Sequence, residues 1–190
     1  MSLSDVDWSL IPAPADDGKA AHLEGQSLPD MALPATGGPA VTLGDLRGMT
    51  VIYVYPMTGR PDRDLPEGWN DIPGARGCTP QSCAFRDHYA ELRDYGVDHL
   101  FGLSTQDTDY QAEAVDRLHL PFPLLSDADL AFGKALDLPG MEADGKYLHK
   151  RLTMIARDGV IEKVFYPVFP PDQDAENVIA WMRTHAEERA

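Results

Sequence analysis

Apolar and polar positions along the 190-residue chain change period several times, and each change marks an element. Residues 50–55 (Thr-Val-Ile-Tyr-Val-Tyr) form an unbroken β-branched and aromatic run stopped by Pro56, the mark of a fully buried strand. A shorter run at 41–43 precedes it, and residues 100–104 (Leu-Phe-Gly-Leu-Ser) read as the next strand. Between them the period turns helical. Phe85, Tyr89 and Leu92 share one face of a segment spanning 79–93, with Pro80 in its first turn. Further helices are expected at 109–118 and 129–136, separated by a short strand or turn at 122–125. Residues 152–156 and 160–165 make a hairpin about the turn signal Asp158-Gly159. An amphipathic helix at 172–187, carrying Val178, Ile179, Trp181 and Met182, closes the chain. Strands alternating with helices, then a hairpin and a last helix, predict an α/β fold with a central mixed β-sheet flanked by helices.

Two stretches have no period. Residues 1–25 read as an N-terminal arm lying on the surface or partly loose, which leaves 26–190 as a single domain. Residues 57–77 are rich in Gly, Pro and Asp, and a loop of that length inside a compact domain is usually functional.

Composition then narrows the function. With 43% hydrophobic residues the chain can build a full core. A net charge of −15 argues against a nucleic-acid backbone or an anionic membrane as partner. No apolar run reaches the ~20 residues of a bilayer span. The first seven residues lack the basic start and apolar stretch of a signal peptide. The expectation is a cytoplasmic protein, in which a structural disulfide would be out of place. The two cysteines of the chain, Cys78 and Cys83, therefore need another explanation.

Cys78 ends the aperiodic loop and opens a predicted helix. Unpaired N–H groups and the positive end of the helix dipole favour a thiolate there, and Arg76 lies close in sequence. A thiolate is both a nucleophile and an oxidation target. A lone cysteine is more often buried and inert, but a second one five positions along the same helix shifts the balance to redox chemistry. Five helical residues give ~7.5 Å of rise and a Cα separation of roughly 8.5 Å. A disulfide spans at most about 7 Å, so the pair can bond only if the first turns unwind. Zinc fits poorly, because Cys78, Cys83 and His88 are spaced five and five, unlike a ligand knuckle. His149 reads as a satisfied or solvent-facing histidine, and neither a phosphate-binding loop nor a nucleophile elbow occurs.

The segment Gly77-Cys78-Thr79-Pro80-Gln81-Ser82-Cys83-Ala84-Phe85-Arg86-Asp87 resembles the peroxiredoxins, specifically the Q-type, bacterioferritin-comigratory-protein-like branch of the AhpC/TSA group. Leu28-Pro29-Asp30-Met31-Ala32-Leu33 is similar to that family's leading hairpin, and Gly102-Leu103-Ser104 to its third strand. Residues 120–127 (Leu-Pro-Phe-Pro-Leu-Leu-Ser-Asp) match a recognisable family segment, and Arg151-Leu152-Thr153 sits where the family keeps an arginine beside the reactive sulfur. The likeness covers roughly residues 25–185. It implies a thioredoxin-like fold and a thiol peroxidase. Cys78 would attack hydrogen peroxide or an organic hydroperoxide, and Cys83 would close an intramolecular disulfide on the resulting sulfenic acid. Arg151 would hold the thiolate and polarise the peroxide. The resemblance further implies a thioredoxin- or glutaredoxin-type reductant, no prosthetic cofactor or metal, and a monomer or homodimer. A thiol–disulfide oxidoreductase or redox sensor on the same fold is the alternative. A non-enzymatic interaction module is the third reading.

The loop before Cys78 departs from the family pattern of Pro, three residues, Thr, two residues, Cys. Counting back, Ala75 fills the Thr slot and Asp71 the Pro slot. Pro56, which resembles the family proline at the strand end, lies 22 positions before Cys78, so about fifteen residues have been inserted. Thr58 is the expected source of the missing hydroxyl if the insertion loops out and returns. Thr79 and Arg76 are further supporting candidates, and the insertion, with Arg60, Arg63, Trp69 and Arg76, is expected to shape a substrate or reductant surface.

Overall fold

In a computed structural model, which describes residues 6–188, the run ending at Pro56 becomes the middle strand of a five-stranded sheet. In chain order the strands and helices are β1 (Ala32–Leu33), β2 (Val41–Thr42), β3 (Met49–Val54), α1 (Cys78–Asp87), α2 (Tyr89–Asp94), β4 (Val97–Ser104), α3 (Thr108–Leu118), β5 (Leu124–Ser126), α4 (Ala131–Leu136), β6 (Gly140–Ala143), β7 (Lys146–His149), β8 (Leu152–Arg157), β9 (Val160–Phe165) and α5 (Asp174–Glu188). The sheet order is β5-β4-β3-β8-β9. β4 runs parallel to β3 and β5, whereas β8 is antiparallel to β3 and β9. This is the mixed α/β arrangement that the periodicity predicts.

The period of two explains why β3 is buried on both faces. Val51, Tyr53 and Tyr55 point into a core shared with α1, α2, α3 and α5, and Ile52 and Val54 point into a second core shared with α4 and the arm. Gly102 on β4 is required by this packing, since a Cβ there would lie 2.6 Å from the Tyr53 ring and from Leu124.

Three expectations are corrected. The helix read across 79–93 is two helices, because the chain breaks at His88 (φ −96°, ψ 8°). The 41–43 run yields a strand of two residues and then a 3-10 turn at Leu43–Asp45. The β6–β7 hairpin is an element that the periodicity does not predict, and among the described residues its strands pair only with each other. The first five residues of the arm and the last two of the chain lie outside the described residues. From residue 6 the arm is laid along the molecule: Ala20 and Leu23 are buried, and Asp17 meets Lys150 at 2.9 Å. Among the described residues no helix is long and apolar enough to cross a membrane.

Candidate active site

The loop 73–77 delivers the chain to α1 through Gly77, whose φ of +113° is open to glycine and strained for other residues. Cys78 is the first residue of α1 and is 3% exposed. Its Sγ–H donates weakly to the Ala75 carbonyl at 3.7 Å, and the Nη2 of Arg151 donates to Sγ at 3.3 Å. Positive charge and the free N–H groups of a helix start thus face one sulfur.

Arg151 lies between β7 and β8 and is 3% exposed. Its Nη2 also donates to the carbonyls of Ala75, Arg76 and Gly74, at 3.1, 3.2 and 3.3 Å. Nη1 donates to Oε1 of Gln81 at 2.5 Å. The loop before Cys78 therefore serves as a carbonyl cradle for the guanidinium, and Gln81, one turn beyond Cys78, completes it. The Gln81 Nε2 donates in turn to Oδ2 of Asp174 at 2.7 Å, as does Thr153 Oγ1 at 2.7 Å. Neither Gln81 nor Asp174 is evident as a functional residue in the sequence. The available signal is weak: Gln81 is a polar residue three positions from Cys78, hence on the same helix face.

Cys83 is half-buried on the same helix, and both thiols are free. Burial pushes its pKa up, opposed by the nearby Arg86. The next residue back, Ser82, accepts a hydrogen bond from the Tyr53 hydroxyl at 3.0 Å, and the Phe85 ring stacks on Tyr53 at 4.6 Å. These contacts fasten the middle of α1 to β3.

A cavity of about 490 Å³ opens on Cys78. Trp8 of the arm, Met57, Leu65 and Trp69 provide apolar wall, while Arg76 and Thr79 lie on either side of the sulfur in sequence and also line it. The insertion is not a loose lid. Arg117 donates to the Gly59 carbonyl at 3.0 Å, and Arg60 and Arg63 stand over the Tyr110 ring at 5.5 and 5.7 Å. Trp69 is buried against Ala75 and Leu148. A larger groove of about 670 Å³ lies across the insertion, sharing Met57, Arg63 and Leu65, but Cys78 does not line it.

Of the sequence-derived candidates, Cys78, Arg151, Arg76 and Thr79 meet at this site. Thr58 is committed elsewhere: its backbone N and its Oγ1 donate to Oε1 of Gln106, at 3.0 and 3.3 Å. Its hydroxyl is thus engaged by the β4–α3 connection rather than by the sulfur. His149 is buried rather than solvent-facing and is satisfied at one nitrogen only: Nε2 lies 2.7 Å from Asp127 Oδ2, while Nδ1 has no partner among the described residues. Among the described residues no cluster of three or more His, Cys, Asp or Glu side chains could hold a metal ion.

The Redoxin family model matches residues 23–179. The chain is 31% identical to peroxiredoxin Bcp of Escherichia coli K12, over 85% of this chain and 96% of that one. It is 26% identical to the chloroplastic peroxiredoxin Q of Arabidopsis thaliana, over 84% of this chain and 67% of that one. Among solved structures, the peroxidoxin BcpB of Mycobacterium tuberculosis superposes with a TM-score of 0.68 at 25% identity, covering 85% of this chain and 96% of that one. Peroxiredoxin Q of Xanthomonas campestris gives 0.65 at 25%, covering 87% and 98%.

Proposed function

The chain belongs to the redoxin family and is a peroxiredoxin, a thiol peroxidase, and from that premise we propose that Cys78 is its peroxidatic and Cys83 its resolving cysteine. The observation that carries this assignment is the Arg151 guanidinium 3.3 Å from a sulfur that starts a helix and opens on a cavity.

The Cys78 thiolate attacks the outer oxygen of a hydroperoxide. An S–O bond forms, the O–O bond breaks, and the alcohol or water leaves with the proton. Arg151 stabilises the charge that moves from sulfur to the leaving oxygen. Thr79 offers the hydroxyl that donates to the peroxide, a role that Ala75 cannot fill. Cys83 then attacks the sulfenic sulfur: the S–S bond forms, the S–O bond breaks, and water departs. Because the two residues are five positions apart on one helix, the start of α1 unwinds for this step. Peroxiredoxins draw electrons from thiol reductants rather than a prosthetic group. We assign a thioredoxin- or glutaredoxin-type dithiol, which restores both cysteines by exchange. Hydrogen peroxide and organic hydroperoxides are the proposed substrates, and a cytoplasmic monomer or homodimer the proposed form. The net charge of −15 supports a role away from nucleic acid and membrane.

The test is peroxide consumption with a recycling dithiol. Cys78→Ser abolishes it, whereas Cys83→Ser gives one turnover and then stalls. Full activity in Cys78→Ser would overturn the assignment. Oxidation of Cys78 no faster than that of a free thiol would favour a redox sensor instead.

A further inference from the structure

The chemistry above leaves unused a buried carboxylate that is bonded to the site through Gln81. Asp174, at the start of α5, is fully buried; its Oδ2 accepts both hydrogen bonds and its Oδ1 has no partner among the described residues. Burial pushes its pKa up to about 6, against the opposing bonds from Thr153 and Gln81 and the field of Arg151. The groups that face it are Gln81 from α1, Thr153 from β8, and Arg151 just before β8; Arg151 is the charged one among them.

Arg151 is in a matching position. Its partners are an amide oxygen, three backbone carbonyls and the Cys78 sulfur, all of them uncharged while Cys78 is a thiol. A buried cation and a buried carboxylate are thus held apart by a single amide, that of Gln81. Gln81 belongs to α1, so unwinding the start of that helix removes the spacer. Arg151 would lose an acceptor and Asp174 a donor, and each becomes the nearest opposite charge to the other. Unpaired buried charges are costly, and both costs fall if the two groups meet.

We propose that Asp174 is a positioning residue of the resolving step: it holds Gln81, and through it Arg151, at Cys78 while α1 is wound, and receives Arg151 directly once α1 unwinds. The inference rests on the assignment of Cys78 and Cys83 above. It makes partner exchange by one arginine part of the helix transition, so that the unwound state does not strand a charge. Protonation of Asp174 as pH falls through about 6 removes the charge that draws Arg151 across.

The experiment mixes the reduced full chain rapidly with hydrogen peroxide, quenches it, and counts sulfenic acid and disulfide by mass spectrometry. In Asp174→Asn, sulfenic acid is expected to form within about threefold of the wild-type rate, and the disulfide about tenfold more slowly, the effect of one lost charge-assisted contact. The difference between the two proteins should close as pH falls below about 6, where Asp174 of the wild type becomes neutral like the asparagine of the variant. A folded Asp174→Asn protein that closes its disulfide at the wild-type rate overturns the proposal. So does slowing of both steps by the same factor, or a gap that does not change with pH. If the variant does not fold, the wild-type series decides. The disulfide step must then fall through pH 6 by more than the roughly tenfold per pH unit that protonation of the Cys83 thiol alone imposes, and a slope no steeper than that overturns the proposal. A wild-type chain that forms no sulfenic acid at Cys78 would instead sink the underlying assignment.

Discussion

Ala75 gives the site its carbonyl and withholds a side chain. The carbonyl accepts from both Arg151 and Cys78, while the methyl is buried against Trp69 and Leu148. On the proposed mechanism, a hydroxyl that bonds the peroxide therefore has to come from another residue. Thr58 spends its donors on Gln106, whereas Thr79 adjoins Cys78 and lines its cavity. Thr79→Val is accordingly expected to slow oxidation of Cys78 about tenfold, the value of one hydrogen bond of ~1.4 kcal/mol in the transition state. Thr58→Val should leave that rate within about a factor of two and lower stability by ~1 kcal/mol through the lost bond to Gln106. Stopped-flow oxidation and urea denaturation of both variants check this, and the reverse ranking of rates would return the role to Thr58. At this scale the two cysteines stand out in the sequence by residue type and spacing, and Arg151 only through the family resemblance. Gln81 and Asp174 do not stand out. They lie 93 positions apart, meet only through tertiary packing, and Asp174 reads as an ordinary acidic residue of a helix's first turn.

The element on which the mechanism turns is α1, and its start is held in place by a backbone conformation. Gly77 has φ +113°, and a Cβ added to it would lie 2.5 Å from Cγ of Pro171 and 3.0 Å from Cη2 of Trp8. Gly77→Ala thus suffers both backbone strain and collision, a cost of about 1–3 kcal/mol. The expected result is a lower denaturation midpoint and a slower peroxide reaction, since relieving the collision moves Cys78 away from Arg151. A variant with unchanged midpoint and unchanged rate would show that the start of α1 tolerates displacement. Helix periodicity alone does not reveal where α1 stops. Phe85, Tyr89 and Leu92 keep helical spacing, yet His88 leaves the helix and its ring turns to Glu91 at 3.2 Å. The β6–β7 hairpin is hidden for a different reason. Its Asp144-Gly145 turn is the same dipeptide that marks β8–β9, but the flanking strands have four residues each and include Glu142, Lys146 and Gly140, so no alternation stands out.

At the scale of the whole molecule, the beginning and the end of the described chain converge on this helix start. Pro14 packs beside Gly74 in the cradle loop, and Asp17 binds Lys150 and the Tyr166 hydroxyl; the bond from Lys150, then that from Tyr166, holds its carboxyl well below the usual range. Trp8 donates its Nε1–H to Oδ2 of Asp172 at 2.8 Å, meets the Phe169 ring edge-on at 6.0 Å, and lies over Gly77. An arm can be read from the sequence as a stretch without a period, but its path cannot, because the side chains that anchor Trp8 and Asp17 (Asp172, Lys150 and Tyr166) lie more than 130 positions away in sequence. The path has a kinetic consequence. In the proposed resolving step Cys83 reaches Cys78 by unwinding of the first turns of α1, which would take place beneath Trp8. Contacts present in the wound state and absent from the unwound one oppose that step. Trp8→Ala should therefore speed disulfide closure about fivefold, corresponding to ~1 kcal/mol for an aromatic contact of this kind. Faster closure also shortens the life of the sulfenic acid, so less sulfinic acid should accumulate at high peroxide. Trp8→Phe, which loses the bond to Asp172 and the Cη2 edge over Gly77 but keeps an aromatic ring beside Phe169, should fall between the two. Quenched mass spectrometry of disulfide and sulfinic acid in the three proteins measures both effects. Slower closure in Trp8→Ala would mean that the arm guides the unwound helix rather than restraining the wound one.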